Sequence, residues 1–348
     1  MPPTDPADPV TVAGWLSAQG VAVDGALRAD LIAGGRSNLT YKLTDEAGSV
    51  WVLRRPPTGH VLATAHDMTR EWKFISAFHP TPVPVPEPVA LCEDPSVIGA
   101  PFYVMGHVVG VVLDGHEQAL SITEDARRAV SFDLVDVLAD LHAVDIDAAG
   151  IGTIGPREDY LARQLRRWNK QWEATCEQAG LQGLRVPALH AALVAAAPPQ
   201  ERTSVVHGDY RVGNVLTSPE GKVRAVLDWE LAALGDPLAD VGWMLAGWVE
   251  PGEPTDATIS SMSPTNLPGF ASRAEVAARY AERTSTDIDR IGYYIAFAHW
   301  RRAAILAGVA ARYLAGVMGD DGIAPATYRD AVEAGLRPTI DDALALLA

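Results

Sequence analysis

The segment VVHGDYRVGNVL at 205–216, followed by AVLDWE at 225–230, constrains this chain more than any other stretch. Two short β-branched runs, Val205–Val206 and Val215–Thr217, bracket a polar loop. A turn at Glu220–Gly221 then returns the chain into a third run, Val223 to Leu227. The flanking sequence has the helical period instead: helices are expected near 124–144, 157–179 and 187–197 before it, and near 236–248, 272–284, 287–316 and 325–347 after it. A small hairpin is therefore set within a helical second half. Its loops carry three hard oxygen donors, Asp209, Asn214 and Asp228.

The first third reads differently. Residues 10–20 suit a short helix, and Ala29 to Arg55 follows a strand, turn, strand pattern around the small polar turn GGRSN. Residues 65–79 form the one clear helical pattern there, with Met68, Trp72, Ile75 and His79 on one face. Pro80 to Pro88 is expected to be an extended connector, and Phe102 to Met105 a short apolar strand ending at Gly106. Strands and helices are segregated, which predicts an α+β fold. The length of 348 residues suits two lobes.

Phosphoryl transfer asks little of a protein. It needs a carboxylate beside the attacking hydroxyl, oxygen ligands for Mg²⁺ between the phosphates, and cations near the developing charge. Asp209 can orient a hydroxyl and take its proton, while Asn214 and Asp228 can hold Mg²⁺. The five-residue offset from Asp209 to Asn214 equals that of the kinase catalytic loop, and Asp228 before Trp229–Glu230 stands where the DFG aspartate would. Taken alone, Asp209 reads as a turn residue; the other two donors in register with it reverse that reading. His207 is expected to fix the loop through its ring, Asp236 to cap a helix before Pro237, and Asp240 to buttress the loop.

HGDYRVGN followed by LDWELAALGDPLADVGW resembles the aminoglycoside phosphotransferase/choline-kinase family. Within that family the sequence is most similar to the kinase domains fused to acyl-CoA dehydrogenases. The likeness runs from GGRSNLTYKL through VLRRPP, HDMTREW and PFYVMGHVVG into the helical C-terminus. It implies a bilobal protein kinase-like fold, with a small antiparallel-sheet N-lobe holding one main helix and a larger, mostly helical C-lobe. The boundaries it suggests are a nucleotide-binding lobe at 1–105, a hinge at 106–109 and a C-terminal lobe at 110–348, with a catalytic loop at 205–217 and a metal-binding segment at 226–230. Site residues follow from the same likeness. Asp209 would be the base, with Arg211 reaching the γ-phosphoryl group. Asn214 and Asp228 would be the metal ligands, with Glu230 beside them. Gly35, Arg36, Ser37 and Asn38 would form the turn over the phosphates. Arg54 would replace the usual lysine and pair with Glu71, and Gly106 and Val108 would meet the adenine edge. Trp243, Glu250, His299 and Arg302 are candidates for substrate contact. The co-substrate implied is ATP, or GTP, with Mg²⁺.

Arg54 is the departure from the family pattern, because a guanidinium is a wide fork where a lysine is a point charge. The chain has 24 Arg against 4 Lys, so composition accounts for part of the exchange. A catalytically weak or inactive nucleotide-binding regulatory protein is the alternative that Arg54 supports. The net charge of −16 excludes a basic stripe for nucleic acid. Of that charge, −12 falls after residue 109, so the second half permits aminoglycosides or choline-like amines, whereas the branch resemblance points to a hydroxyacyl compound. Only Cys92 and Cys176 are present, with no zinc spacing, and no run of apolar residues is long enough to span a bilayer. A cytoplasmic monomer or homodimer is the expectation, acting on a small hydroxylated molecule.

Overall fold

The computed structural model describes residues 7–34, 38–57, 67–253, 263–317 and 324–348. Five strands, β1 (Arg28–Gly34), β2 (Leu39–Thr44), β3 (Val50–Arg55), β4 (Pro88–Cys92) and β5 (Phe102–Gly106), form one antiparallel sheet in the order β1-β2-β3-β5-β4. Alternation in β2 puts Tyr41 and Leu43 inside. In β5 all of Phe102 to Met105 is buried, because both faces of the sheet are covered. Helix α1 (Pro9–Ala18) packs Val12 and Leu16 with Leu43, Leu53, Phe102 and Val104 on one face. Helix α2 (Met68–Phe78) packs Phe74, Ile75 and Phe78 with Val52, Tyr103 and Met105 on the other.

Strand β4 was not expected from the sequence, which reads as a proline-rich connector up to its first residue. It forms because it is the sheet edge, where a proline at the first position forfeits no ladder bond.

The remainder is helical: α3 (His116–Leu120), α4 (Glu124–Ala143), α5 (Tyr160–Thr175), α6 (Val186–Ala195), α7 (Leu238–Ala246), α8 (Arg273–Thr284), α9 (Ile291–Leu314) and α10 (Pro325–Ala345). Two strand pairs sit among them, β6 (Ser204–Val206) with β9 (Ala233–Gly235) and β7 (Val215–Thr217) with β8 (Val223–Val226), both antiparallel. The sheet's inner face, α2, α4 and the β7–β8 hairpin share one core, while α5, α6, α9 and α10 build a second. Trp229 joins the halves: its ring lies 4.7 Å from Phe78 and 6.3 Å from Phe74 of α2, and 4.7 Å from His207. Arg70 reinforces that seam by donating to Ile154 O (2.9 Å) and Ala232 O (2.8 Å).

Candidate active site

The loop between β6 and β7 is held from beneath by Asp240 on α7. Its carboxylate accepts from His207 N at 2.6 Å and Gly208 N at 2.8 Å, the buttress expected of it. His142 Nε2 lies 3.3 Å from the same carboxylate and its Nδ1 lies 2.8 Å from Tyr280 Oη, so the support is fully buried. Burial pushes the His142 ring below the usual histidine range, which keeps it neutral. His207 points the other way: Nε2 donates to Leu227 O at 2.8 Å and Nδ1 accepts from Asp209 N at 3.2 Å, a loop-fixing role. Helix α7 starts one residue later than expected, with Pro237 and not Asp236 at the N-cap; Asp236, just before it, accepts from Leu238 N at 3.1 Å and from Tyr294 Oη at 2.6 Å.

Asp209 projects from this loop with both carboxylate oxygens engaged. Asn214 Nδ2 donates to Oδ2 at 2.7 Å and to the Asp209 carbonyl at 2.8 Å. Trp243 Nε1 donates to Oδ1 at 2.7 Å. Arg211 Nε stands 3.9 Å from Oδ1. Because its amide nitrogen is committed to Asp209, Oδ1 is the atom of Asn214 that could meet a metal ion. Leu227 N donates to Asn214 O at 2.9 Å, which brings Asp228, the next residue, alongside. Asp228 has φ 66° and ψ 64°, a left-handed conformation that costs a non-glycine residue free energy and recurs at functional sites.

Arg54 enters from β3. Its Nη2 meets Asp228 Oδ1 at 2.5 Å and its Nε meets Glu71 Oε2 at 2.9 Å. Burial works against this guanidinium, but Glu71, with Asp228 and Glu230, outweighs it and holds Arg54 firmly charged. Glu71 is 1% exposed and also accepts from Tyr103 Oη at 3.0 Å and Asn38 Nδ2 at 2.8 Å. Arg55 turns to the opposite face and donates to Ile98 O at 2.9 Å, as strand alternation requires. Asn38 thus faces Glu71, and Gly35, Arg36 and Ser37 lie outside the described residues.

Glu230 completes the acidic side. Burial first, then Asp228, Glu71 and Asp209, push its carboxyl up to about 7 against the pull of Arg54, and its buried Oε2 has no hydrogen-bond partner among the described residues. Among the described residues no three His, Cys, Asp or Glu side chains form a metal cage. Asn214 and Asp228 carry hard oxygen donors, of which Mg²⁺ typically takes one or two from a protein before completing its shell with water and phosphates.

A pocket of about 330 Å³ opens beside Asp209. Its apolar wall includes Val212, Leu231, Met244, Trp248, Ile305 and Leu306. Its polar groups are Arg211 and Arg302, the carboxylates Asp209 and Glu230, and the hydroxyls of Ser263 and Thr265. Of the four substrate candidates, Trp243 and Arg302 line this pocket. Glu250 and His299 do not: Glu250 accepts from Arg273 N at 2.9 Å, and burial, with Arg302 and Arg273 nearby, pushes the His299 ring down to about 3. Sequence reasoning missed the apolar wall, which is assembled from α7, α9 and three loops with no shared motif. It also missed the bond from Trp243 to Asp209, which joins residues 34 positions apart.

A sequence model described as "Phosphotransferase enzyme family" matches residues 29–290. The chain belongs to this family. Among curated proteins, this family member is 36% identical over 291 residues to acyl-CoA dehydrogenase family member 10 of Mus musculus, covering 81% of this chain and 26% of that one. It is 32% identical over 301 residues to acyl-CoA dehydrogenase family member 11 of Gallus gallus, covering 84% of this chain and 38% of that one. The chain thus spans only about a quarter to two-fifths of the length of these relatives. A Ralstonia eutropha JMP134 protein, provisionally described as an aminoglycoside phosphotransferase, superposes with a TM-score of 0.79 at 31% identity over 97% of each chain. An aminoglycoside phosphotransferase solved with AMP-PNP and hygromycin B shares the fold, with a TM-score of 0.59 at 17% identity over 94% of this chain and 98% of that one. The kinase-like α+β fold is therefore the fold of this protein.

Proposed function

We propose that this phosphotransferase moves the γ-phosphoryl group of ATP or GTP onto a hydroxyl of an anionic small molecule with an apolar body, a hydroxyacyl compound in chemical class. One observation carries the reading: Asp209, gripped at both oxygens, lines a largely apolar pocket whose cations among the described residues are Arg211 and Arg302. The −12 charge of the second half allows a cationic acceptor, yet the pocket's carboxylates are those of the phosphoryl-transfer centre itself. Burial pushes the Arg302 guanidinium down to about 10, with Asp209 opposing and Arg211 and Arg301 adding to the shift, and among the described residues Arg302 has no ion-pair partner. A negative group on the acceptor would supply one.

In this reading Asp209 holds the acceptor hydroxyl and takes its proton as the oxygen attacks the γ-phosphorus, while the bond to the bridging oxygen breaks and leaves the nucleoside diphosphate. Asn214 Oδ1 and Asp228 would hold Mg²⁺, with Glu230 beside them, and bound Mg²⁺ neutralises charge between the phosphates. Arg54, positioned by Glu71, would meet the α- and β-phosphates, and Arg211 the group in transfer. Residues 106–109 would form the hinge. Val108 supports that role because its main chain has no hydrogen-bond partner among the described residues, whereas Gly106 N donates to Glu87 O at 2.8 Å. The Arg54 contacts favour an active enzyme, since its guanidinium engages both Glu71 and Asp228 at the centre of the site.

The test is nucleoside diphosphate release with Mg-ATP and with Mg-GTP, against matched panels of anionic hydroxy acids and their thioesters and of cationic amino alcohols, for wild type and Asp209→Ala. Turnover on the anionic panel should fall by about 10²–10⁴-fold in the variant. Turnover confined to the cationic panel refutes the acceptor class, and an unaffected variant refutes Asp209 as the base.

A further inference from the structure

Trp243 lies on α7, only 8% exposed, with its ring in the pocket wall and its N–H directed at Asp209 Oδ1 at 2.7 Å. Asn214, from within the loop itself, holds Oδ2 at the same distance. The carboxylate is therefore pinned by two donors on separate elements, which fixes its plane as well as its position. Without the indole donor, Oδ1 would face Arg211, whose Nε is already 3.9 Å away.

The indole is itself clamped. The Arg301 guanidinium lies 4.5 Å from its ring centroid and the Arg302 guanidinium 5.4 Å. Arg301 is 4% exposed and has no carboxylate partner among the described residues. Its charge rests on two indole faces, Trp243 and Trp168, the latter at 5.2 Å. A buried cation needs compensation, and attraction to an aromatic face is strongest where water is excluded. The same low dielectric strengthens the N–H···carboxylate bond.

We propose that Trp243 is a positioning residue for the base: its indole N–H, held in place by the Arg301 guanidinium, sets the Asp209 carboxylate so that a lone pair meets the acceptor hydroxyl and Arg211 does not draw it away. The inference rests on the reading of Asp209 as the base. It assigns Trp243 a role distinct from substrate contact.

The experiment replaces Trp243 in the full chain with β-(3-benzothienyl)alanine, which keeps the ring shape and puts sulfur in place of N–H, and separately with Phe. Kinetics are measured with Mg-ATP and the best acceptor of the panel, beside thermal melts. The sulfur isostere should melt like wild type, with kcat lowered about 10- to 100-fold, the loss expected for one hydrogen bond to a charged group. Acceptor KM should stay within about threefold, since the lost contact is to the base and not to the substrate. Arg301→Leu should lower kcat in the same direction, and Arg301→Lys should restore part of it. In ¹⁵N-indole spectra the Trp243 resonance should move upfield in Asp209→Asn. Wild-type kcat in the isostere overturns the proposal, as does a loss confined to KM or an unmoved resonance. If wild type transfers phosphoryl to no acceptor, the base assignment itself fails, and a resonance that still responds to Asp209→Asn marks the bond as purely structural.

Discussion

Arg54 Nη2 and Asp228 Oδ1 meet at 2.5 Å, tying the third strand of the sheet to the turn that follows the β7–β8 hairpin, 174 residues away in sequence. The same guanidinium reaches Glu71 through Nε. A lysine has one nitrogen for these two carboxylates, so Arg54→Lys should lower kcat/KM for the nucleotide by about tenfold, the cost of one charge-assisted hydrogen bond. Arg54→Met leaves Glu71 buried without a counter-charge and should cost about 3–5 kcal/mol of stability, read by denaturant melts.

Arg302 is the pocket cation without a carboxylate partner among the described residues. Arg302→Gln should raise KM for an anionic acceptor by about tenfold, the loss of one charge-assisted contact, with a smaller loss in kcat from its place over the Trp243 ring. Arg302→Glu should abolish use of that acceptor. Equal KM values in all three proteins, from initial rates at saturating Mg-ATP, would remove Arg302 from acceptor recognition.

Gly208 has φ +84°, and a Cβ there would lie 2.7 Å from Leu231 O, a main-chain atom that cannot swing aside. Gly208→Ala therefore combines a strained backbone with a clash directly before Asp209. Circular dichroism melts should show a loss of about 1–3 kcal/mol. Activity should fall further than stability alone explains.

His299 gives stability a defined pH dependence. Burial, with Arg302 and Arg273, places its ring at about 3 in the folded chain, below the 6.5 of an ordinary histidine. The unfolded chain takes up the proton first as pH falls, so the stability associated with the neutral ring is complete above 6.5 and is lost progressively toward pH 3. Between pH 7 and pH 4 this one group should cost on the order of 3 kcal/mol. His299→Asn should flatten that limb in denaturant titrations, and an unchanged slope would show that the ring is not held neutral.

Local sequence determined a good deal of this protein. The helical periods located α4 to α10 to within a few residues, and the spacing in HGDYRVGN with AVLDWE brought out Asp209, Asn214 and Asp228, because those residues lie in one loop and one hairpin with short-range geometry. Strand alternation was enough to choose Arg54 over Arg55. Only the tertiary structure decided what surrounds them. The edge strand β4, the stacking of Trp229 on Phe74 of α2, the bond from Trp243 to Asp209, and a pocket with arginines inside a strongly acidic half all depend on contacts between distant segments. Periodicity and net charge average over neighbours along the chain, whereas a site is built by the few side chains that packing brings together across it.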